Sequence, residues 1–414
     1  MNREGGLQVD IDGATARAPG FLRMGGHADA DVPFHPGEEL PFEDRGVGVI
    51  TCGGFVHELD RAAKLHFLLE CRRTLKPGGW IGIAARAATE SNSGDLSRLA
   101  MMAGLEVAPG GFTKRHRRLR TDPLVSILIP AYNARFFPAC LDSALAQTYD
   151  NIEIVICDDS PGREIEAIAR ARASRFPVRY EPNAARLRPR GNFTRCFERA
   201  RGEFVKFLCD DDLLAPDCVA ALLDAFRRAP DITLATSRRR RIDAHGQDLG
   251  DQPATAPIVA EDAVLAGHTL ANAMIMAGLN IVGEPTTALF RKIDLLDQAP
   301  EYFRFDGEAG HGIIDMVTWA ALLLKGDAVY LCERLSSFRN HAGQRQRDPA
   351  KAQRNVESIR RLHAAWRDLK LHERLRPDVL LTKPYPPQRG MEWRAQPLLG
   401  FAAPARCGRL SADP

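Results

Sequence analysis

The sequence predicts an α/β fold built on an open sheet, and three observations carry that expectation. Between Pro123 and Asp348, short apolar runs alternate with segments of helical spacing. The runs are continuous rather than alternating, as in strands covered on both faces. Two aspartate clusters, Asp158-Asp159 and Asp210-Asp211-Asp212, stand where such runs stop, and open α/β sheets bind ligands just beyond the carboxyl ends of their strands.

Taken in order, Val125 to Pro130 reads as a first buried strand closed by proline. Phe137, Cys140, Leu141, Ala144 and Leu145 then make one apolar helix face, with Asn133 placed to cap it. Ile152 to Cys157 is a second strand, Arg163 to Ser174 a helix and Val178 to Tyr180 a third strand. Asn192 to Ala200 is a short helix, Phe204 to Leu208 a fourth strand, and Thr233 to Ser237 a later one. Strands and helices at this spacing imply parallel crossovers. Arg238 to Arg241 is expected to be a solvated hairpin rather than an anion site.

The rest of the 414 residues separates by texture. Residues 1–112 mix Gly-rich loops with short apolar segments, and 113–122 form a basic linker containing Lys114 to Arg120. The α/β domain occupies 123–348, a charged helical extension 349–382, and a Pro/Gly/Arg-rich tail with the composition of disorder 383–414. The formal net charge of +3 gives no reason to expect nucleic acid as partner. Nine scattered cysteines without a CxxC pair argue against a zinc site or disulfide framework and suit a reducing cytoplasm. No apolar stretch is long enough for a membrane span, and the basic linker leaves peripheral contact with anionic lipid open. Asn192-Phe193-Thr194 fits a glycosylation sequon, which carries no weight without secretion.

Three adjacent carboxylates repel one another unless a cation or donor groups offset them. Hard oxygen ligands suit Mg²⁺ or Mn²⁺, held by one or two carboxylates plus substrate phosphates. A solvated turn or a helix N-terminus would account for an acidic triplet equally simply. On the residues alone, the domain is an α/β unit with a candidate metal–phosphate site.

From Pro123 to Ser160 the chain resembles the opening of inverting family-2 glycosyltransferases with the GT-A fold, an open mixed sheet flanked by helices. The likeness rests on Pro130, Tyr132, Asn133, Ser143, Gln147, Thr148, Tyr149, Asp158 and Asp159 at the family's spacing, followed by Ala200 to Asp212. It implies a nucleotide-sugar donor (UDP-, dTDP- or GDP-linked) bound by Pro130, Ala131, Tyr132, Asn133, Asp158, Asp159, Arg190 and Asp210. It implies Mg²⁺ or Mn²⁺ on Asp211 and Asp212, although Cys209 stands where the family often has an aspartate. Asn280 to Thr286 resembles the segment flanking the acceptor, with Gly283, Glu284 and Pro285 on that side. Gly312 to Trp319 resembles the helix carrying the catalytic base, here Asp315, with His311 as fallback. Leu335 to His341 resembles the closing Arg-x-His segment. Arg186 and Arg188 join Arg190 as candidates for the donor phosphates. The acceptor implied is a saccharide or a lipid-linked saccharide.

Residues 1–112 resemble the later part of a class I methyltransferase, a partial Rossmann-like segment, through Leu40 to Asp44, Val47 to Thr51, His57 to Leu59 and Leu75 to Ala84. By that likeness Val9 to Asp12 matches the second strand, so the first, with its Gly-x-Gly loop for S-adenosylmethionine, is missing. Two rival functions follow: a methyltransferase, and a nucleotide-sugar-binding protein with impaired catalysis, suggested by Cys209 and by Ile314 standing where the family has Glu.

Overall fold

The structure, a computed structural model, describes residues 7–11, 21–25, 32–33, 39–84, 91–115, 119–343, 349–388 and 390–399. Asp12, the middle of the basic linker and the end of the tail lie outside the described residues. The chain forms two units, one of residues 1–118 with 324–326 and 364–373, the other of the remainder.

In the first unit seven strands form one sheet: β1 (Leu7–Ile11), β2 (Phe21–Gly25), β3 (Val32–Pro33), β4 (Val47–Cys52), β5 (Leu75–Ile83), β6 (Leu105–Ala108) and β7 (Gly111–Lys114). Their order is β3-β2-β1-β4-β5-β7-β6, with β1 to β5 parallel and β7 antiparallel to both neighbours. Helix α1 (Arg61–Thr74), capped by Asp60 through the Ala63 N–H at 2.8 Å, leads into β5; α2 (Ser91–Met102) follows it. The Leu-Lys-Pro-Gly-Gly signature has a physical cause. Gly78 sits at φ +78°, and a Cβ on Gly79 would come within 2.9 Å of the Lys76 carbonyl. β1 lies between β2 and β4 and is parallel to both, with Val9 opposite Leu22 on one side and Ile50 on the other.

The second unit begins with β8 (Val125–Ala131), α3 (Phe137–Leu145), β9 (Ile152–Asp158), α4 (Glu164–Arg170), β10 (Val178–Pro182), α5 (Arg188–Arg199) and β11 (Phe204–Phe207). β12 (Leu213–Leu214), α6 (Cys218–Arg228), β13 (Ile232–Ile242), β14 (Ala263–Leu265), α7 (Gly267–Ala277) and β15 (Leu289–Arg291) come next. α8 (Ile314–Lys325), β16 (Asp327–Arg339), α9 (Pro349–Asp368), β17 (Val379–Pro384) and β18 (Arg394–Pro397) complete it. The eleven strands make one mixed sheet in the order β10-β9-β8-β11-β15-β13-β16-β14-β17-β18, with β12 against β16. β8 to β11 are parallel, so the carboxyl ends of β8, β9 and β11 share one edge. Ile127, Ile129, Ile154, Ile156, Phe204, Leu222 and Phe226 are among the buried residues of its core. An α/β fold on an open mixed sheet flanked by helices is thus what the chain adopts.

Three local expectations change. Asn133 does not cap α3; its Oδ1 accepts the Arg135 N–H at 3.0 Å, closing a turn before a helix that starts at Phe137. The arginines 238–241 are no hairpin but the second half of β13, which runs on beside β16. Alternation turns Arg239 and Arg241 inward, at 2% and 8% exposure, and leaves Arg240 outside. Finally, the helical extension expected over 349–382 ends in a strand, β17, and the expected tail from 383 supplies β18, both extending the sheet by backbone pairing that their sequence does not advertise.

Candidate active site

The expected donor-side and metal-side residues, Arg190 of α5 apart, are placed by a strand end or the loop after it. At the end of β9, Asp158 is buried and accepts from the Ser160 N–H at 2.8 Å and the Tyr180 hydroxyl at 2.7 Å. Asp159 accepts from the Leu187 N–H at 2.6 Å, the Arg188 N–H at 2.8 Å and Asn183 Nδ2 at 3.1 Å. Its charge therefore sits at the start of α5, where exposed backbone donors favour an anion. Beside them lies a cleft of about 390 Å³ lined by Tyr132, Asn133, Ala134, Ser160, Pro161, Gly162 and Glu164. Tyr132, 37% exposed, carries the Arg186 guanidinium 4.7 Å above its ring. Pro130 and Ala131 end β8 immediately before this cleft.

The acidic triplet after β11 splits three ways. Asp210 Oδ2 accepts the Tyr132 and Asn133 N–H groups at 2.6 and 2.7 Å, joining the β8 and β11 loops. Asp211 Oδ2 lies 3.1 Å from His341 Nε2. The Gly343 N–H donates to His341 Nδ1 at 3.2 Å, which leaves the hydrogen of the neutral ring on Nε2, facing Asp211. Asp212, 1% exposed, accepts from the Thr286 hydroxyl at 2.7 Å and the Arg339 N–H at 3.0 Å. Burial pushes its carboxyl well above the ordinary range, and the Asp211 charge pushes the same way. Thr286 in turn accepts the Cys209 N–H at 3.1 Å. So of the two expected metal ligands, Asp211 keeps a partly exposed carboxylate and Asp212 is held inside the loop.

Asp315 opens α8 as expected. Its Oδ2 accepts from Asn280 Nδ2 at 2.7 Å and its Oδ1 from the Met316 N–H at 2.9 Å. Burial, with the Glu284 charge assisting, raises its pKa from 3.8 to about 6. Asn280 also brackets Gly283, donating to its carbonyl at 2.8 Å and accepting its N–H at 3.0 Å. Gly283 sits at φ +123°, a backbone position that other residues rarely adopt. Trp319 Nε1 donates to the same carbonyl at 2.8 Å. Glu284 pairs with Arg239 at 2.6 Å, so a buried arginine of β13 anchors the expected acceptor side. A small pocket against Asp315 is lined by Phe193, Phe207, Pro285, Phe290, Phe303 and Trp319. His311 is exposed in the loop before α8, its carbonyl accepting the Ser358 hydroxyl at 2.8 Å. Arg190 donates to the carbonyls of Tyr302, at 2.8 Å, and Ala309.

Residues 126–292 match the family model described as "Glycosyl transferase family 2". The chain belongs to glycosyl transferase family 2. Residues 21–83 match a second model, "Methyltransferase domain". An uncharacterized protein of Mycobacterium tuberculosis, MT1568, is 30% identical over 247 residues, which are 58% of this chain and 74% of that protein. A chondroitin synthase of Escherichia coli is 34% identical over 31% of this chain, and a hyaluronan synthase of Pasteurella multocida 28% identical over 56%. Those matches span only 19% and 23% of the two synthases. Among solved structures, Staphylococcus aureus TarS 1-349 in complex with UDP-GlcNAc is similar at TM-score 0.47 and 15% identity over 58% of this chain and 66% of that one. The mannosyltransferase PcManGT from Pyrobaculum calidifontis, in complex with GDP-Man and Mn²⁺, gives TM-score 0.41 and 17% identity over 60% and 68%.

In this family-2 glycosyltransferase several signature residues are scaffolding. Gln147, fully buried, donates to the Ser143 and Ala215 carbonyls at 3.0 and 2.8 Å and accepts the Val219 N–H at 3.0 Å. It thereby fixes α3 to the start of α6. Tyr149 reaches Asp122 and the Pro123 carbonyl at 2.6 and 2.7 Å, tying down the entry to β8. In the sequence Asn192 stands out only as the start of a short helix and as a sequon. It is buried, and its Nδ2 lies 3.2 and 3.0 Å from the Ala131 and Cys157 carbonyls, stapling together the ends of β8 and β9.

Proposed function

We propose that this glycosyltransferase transfers a sugar, with inversion, from a nucleoside diphosphate donor in the Tyr132–Glu164 cleft to an acceptor hydroxyl beside Asp315. The observation that carries the reading is the convergence of three parallel strand ends on one loop system, joined by Asp210 across Tyr132 and Asn133. Pro130 to Asn133, Asp158 and Asp159 shape the nucleoside side, with Arg186 over Tyr132 at its mouth. Gly283, Glu284 and Pro285 form the acceptor side, where a saccharide or lipid-linked saccharide would enter.

A divalent cation, Mg²⁺ or Mn²⁺, fits the donor set. Among the described residues no three His, Cys, Asp or Glu groups are placed to hold a metal by themselves. A site of one carboxylate completed by diphosphate oxygens is nevertheless the usual Mg²⁺ arrangement. Asp211 is the partly exposed carboxylate, His341 stands beside it, and Asp212 holds the loop through Thr286 and Arg339. When bound, the cation would neutralise charge on the departing diphosphate. Asp315 receives the proton of the acceptor hydroxyl as that oxygen attacks the face opposite the leaving group. Its pKa of about 6 leaves it mostly ionised, and still basic, at neutral pH.

No helix among the described residues is long and apolar enough to cross a membrane. The test is calorimetric titration with UDP, dTDP and GDP, each with Mn²⁺, with Mg²⁺ and with EDTA. Binding of one nucleotide that needs the metal supports the reading, and no binding by any of the three overturns the donor assignment.

A further inference from the structure

We infer that Arg190 is a positioning residue that couples the donor cleft to the catalytic base by fixing the 302–309 loop, and that it does not bind the donor phosphates. The inference rests on the proposed transferase reading for the identity of the base.

Four observations lead there. First, the start of α5 is held by the donor side, since Asp159 accepts both the Leu187 and Arg188 N–H groups. Arg188 adopts φ +64°, a left-handed conformation that costs a non-glycine residue about 1–3 kcal/mol and marks functional sites when the surroundings enforce it. Second, Arg190 stands two residues later and donates to the Tyr302 and Ala309 carbonyls, bridging the loop at two points. A planar guanidinium can span two carbonyls; an ammonium cannot hold both in one plane. Third, Phe303 within the loop is also left-handed, at φ +61°, and fully buried. Its ring packs 5.4 Å from Phe197 of α5 and 5.8 Å from Phe207 of β11, and it lines the pocket against Asp315 together with Phe193 of α5. Fourth, the loop runs into Gly310, where an added Cβ would meet Val317 of α8 at 2.5 Å. The loop and the helix that carries Asp315 therefore cannot shift independently.

A continuous set of contacts thus runs from Asp159 through α5 and Arg190 to the loop and on to Asp315. Loss of the two bonds would free the loop and misplace the base, and a misplacement near 1 Å can cost roughly 100-fold in rate.

The test compares wild type, Arg190→Ala and Arg190→Lys in three measurements: nucleoside diphosphate affinity with Mn²⁺, kcat for transfer, and hydrogen exchange of residues 300–312 with and without UDP, dTDP or GDP. Arg190→Ala should leave nucleotide affinity within about twofold and lower kcat by roughly 10- to 100-fold. The nucleotide should slow exchange in the loop of the wild type but not of Arg190→Ala. Arg190→Lys should recover only part of the rate. A tenfold or greater loss of nucleotide affinity with kcat intact would overturn the inference and make Arg190 a phosphate ligand, as would unchanged kcat and unchanged exchange. If the wild type binds no nucleotide, the donor reading itself fails. The loop tether is then judged on exchange alone, and equal loop exchange in wild type and Arg190→Ala would refute it.

Discussion

Replacing Asp315 by Asn should make the enzyme nearly inactive and more stable at neutral pH, and the two effects share one cause. The carboxyl pKa rises from 3.8 to about 6 because burial and Glu284 disfavour its charge. Two units at 1.36 kcal/mol each make the ionised group costly by about 3 kcal/mol above pH 6. The folded pKa is raised, so between about pH 4 and 6 the folded state binds more protons than the unfolded chain, and wild-type stability falls as pH rises through that window. Asn carries no charge to bury but gives up one of the two acceptors that face Asn280 and Met316, about 1 kcal/mol. The net gain at pH 7.5 is about 2 kcal/mol, or roughly 4–8 °C in Tm for a unit of this size. At pH 4 it should vanish. Thermal unfolding of both proteins at pH 4, 5, 6 and 7.5 measures this, beside a pH–rate profile whose acid limb should lie near 6 in the wild type. A variant no more stable than wild type at pH 7.5, or equally stabilised at pH 4, would refute the burial argument. Undiminished turnover would remove Asp315 from the chemistry.

Other outcomes follow from single contacts. Asp211→Asn should abolish metal-dependent nucleotide binding while changing stability by less than about 1 kcal/mol, since this carboxylate is partly exposed and an amide in its place can still meet His341; titration with Mn²⁺ and EDTA checks it. Asn192→Ala removes the amide that bridges the Ala131 and Cys157 carbonyls; Ala131 keeps the Asp159 N–H, so the change should cost about 1–2 kcal/mol in urea unfolding, with weaker nucleotide binding from loosened strand ends. Arg239→Gln leaves Glu284 facing Asp315 without its cation. It should cost about 3 kcal/mol and shift the acid limb of the pH–rate profile upward, because Glu284 already raises the Asp315 pKa.

The sheet was legible because buried parallel strands write continuous apolar runs, and the aspartate clusters at the end of β9 and in the loop after β11 fall on the edge that the carboxyl ends of the parallel strands share. Chemistry decided by distant partners was not legible. Asp210, Asp211 and Asp212 are identical in composition and adjacent in sequence, yet their roles diverge because their partners lie at Tyr132, His341 and Thr286. Four consecutive arginines read as a solvated hairpin because strand alternation puts only half of them on either face; Asp251 and Asp248 pair with Arg238 and Arg240, while Glu284, farther along the chain, pairs with Arg239 inside. Arg190 was singled out by its place ahead of β11, and the carbonyls it donates to, those of Tyr302 and Ala309, lie more than a hundred residues on. Asn192 acts on backbone carbonyls, which leave no trace in side-chain pattern.

The most direct measurement is release of nucleoside diphosphate from a panel of UDP-, dTDP- and GDP-sugars, with Mn²⁺, Mg²⁺ or EDTA, by wild type, Asp211→Asn and Asp315→Asn. Metal-dependent release from one donor class, lost in both variants while Asp315→Asn still binds the nucleotide, is the predicted result. Release that persists in EDTA, or that survives either substitution undiminished, would contradict the assignment of Asp211 to the cation and Asp315 to the proton.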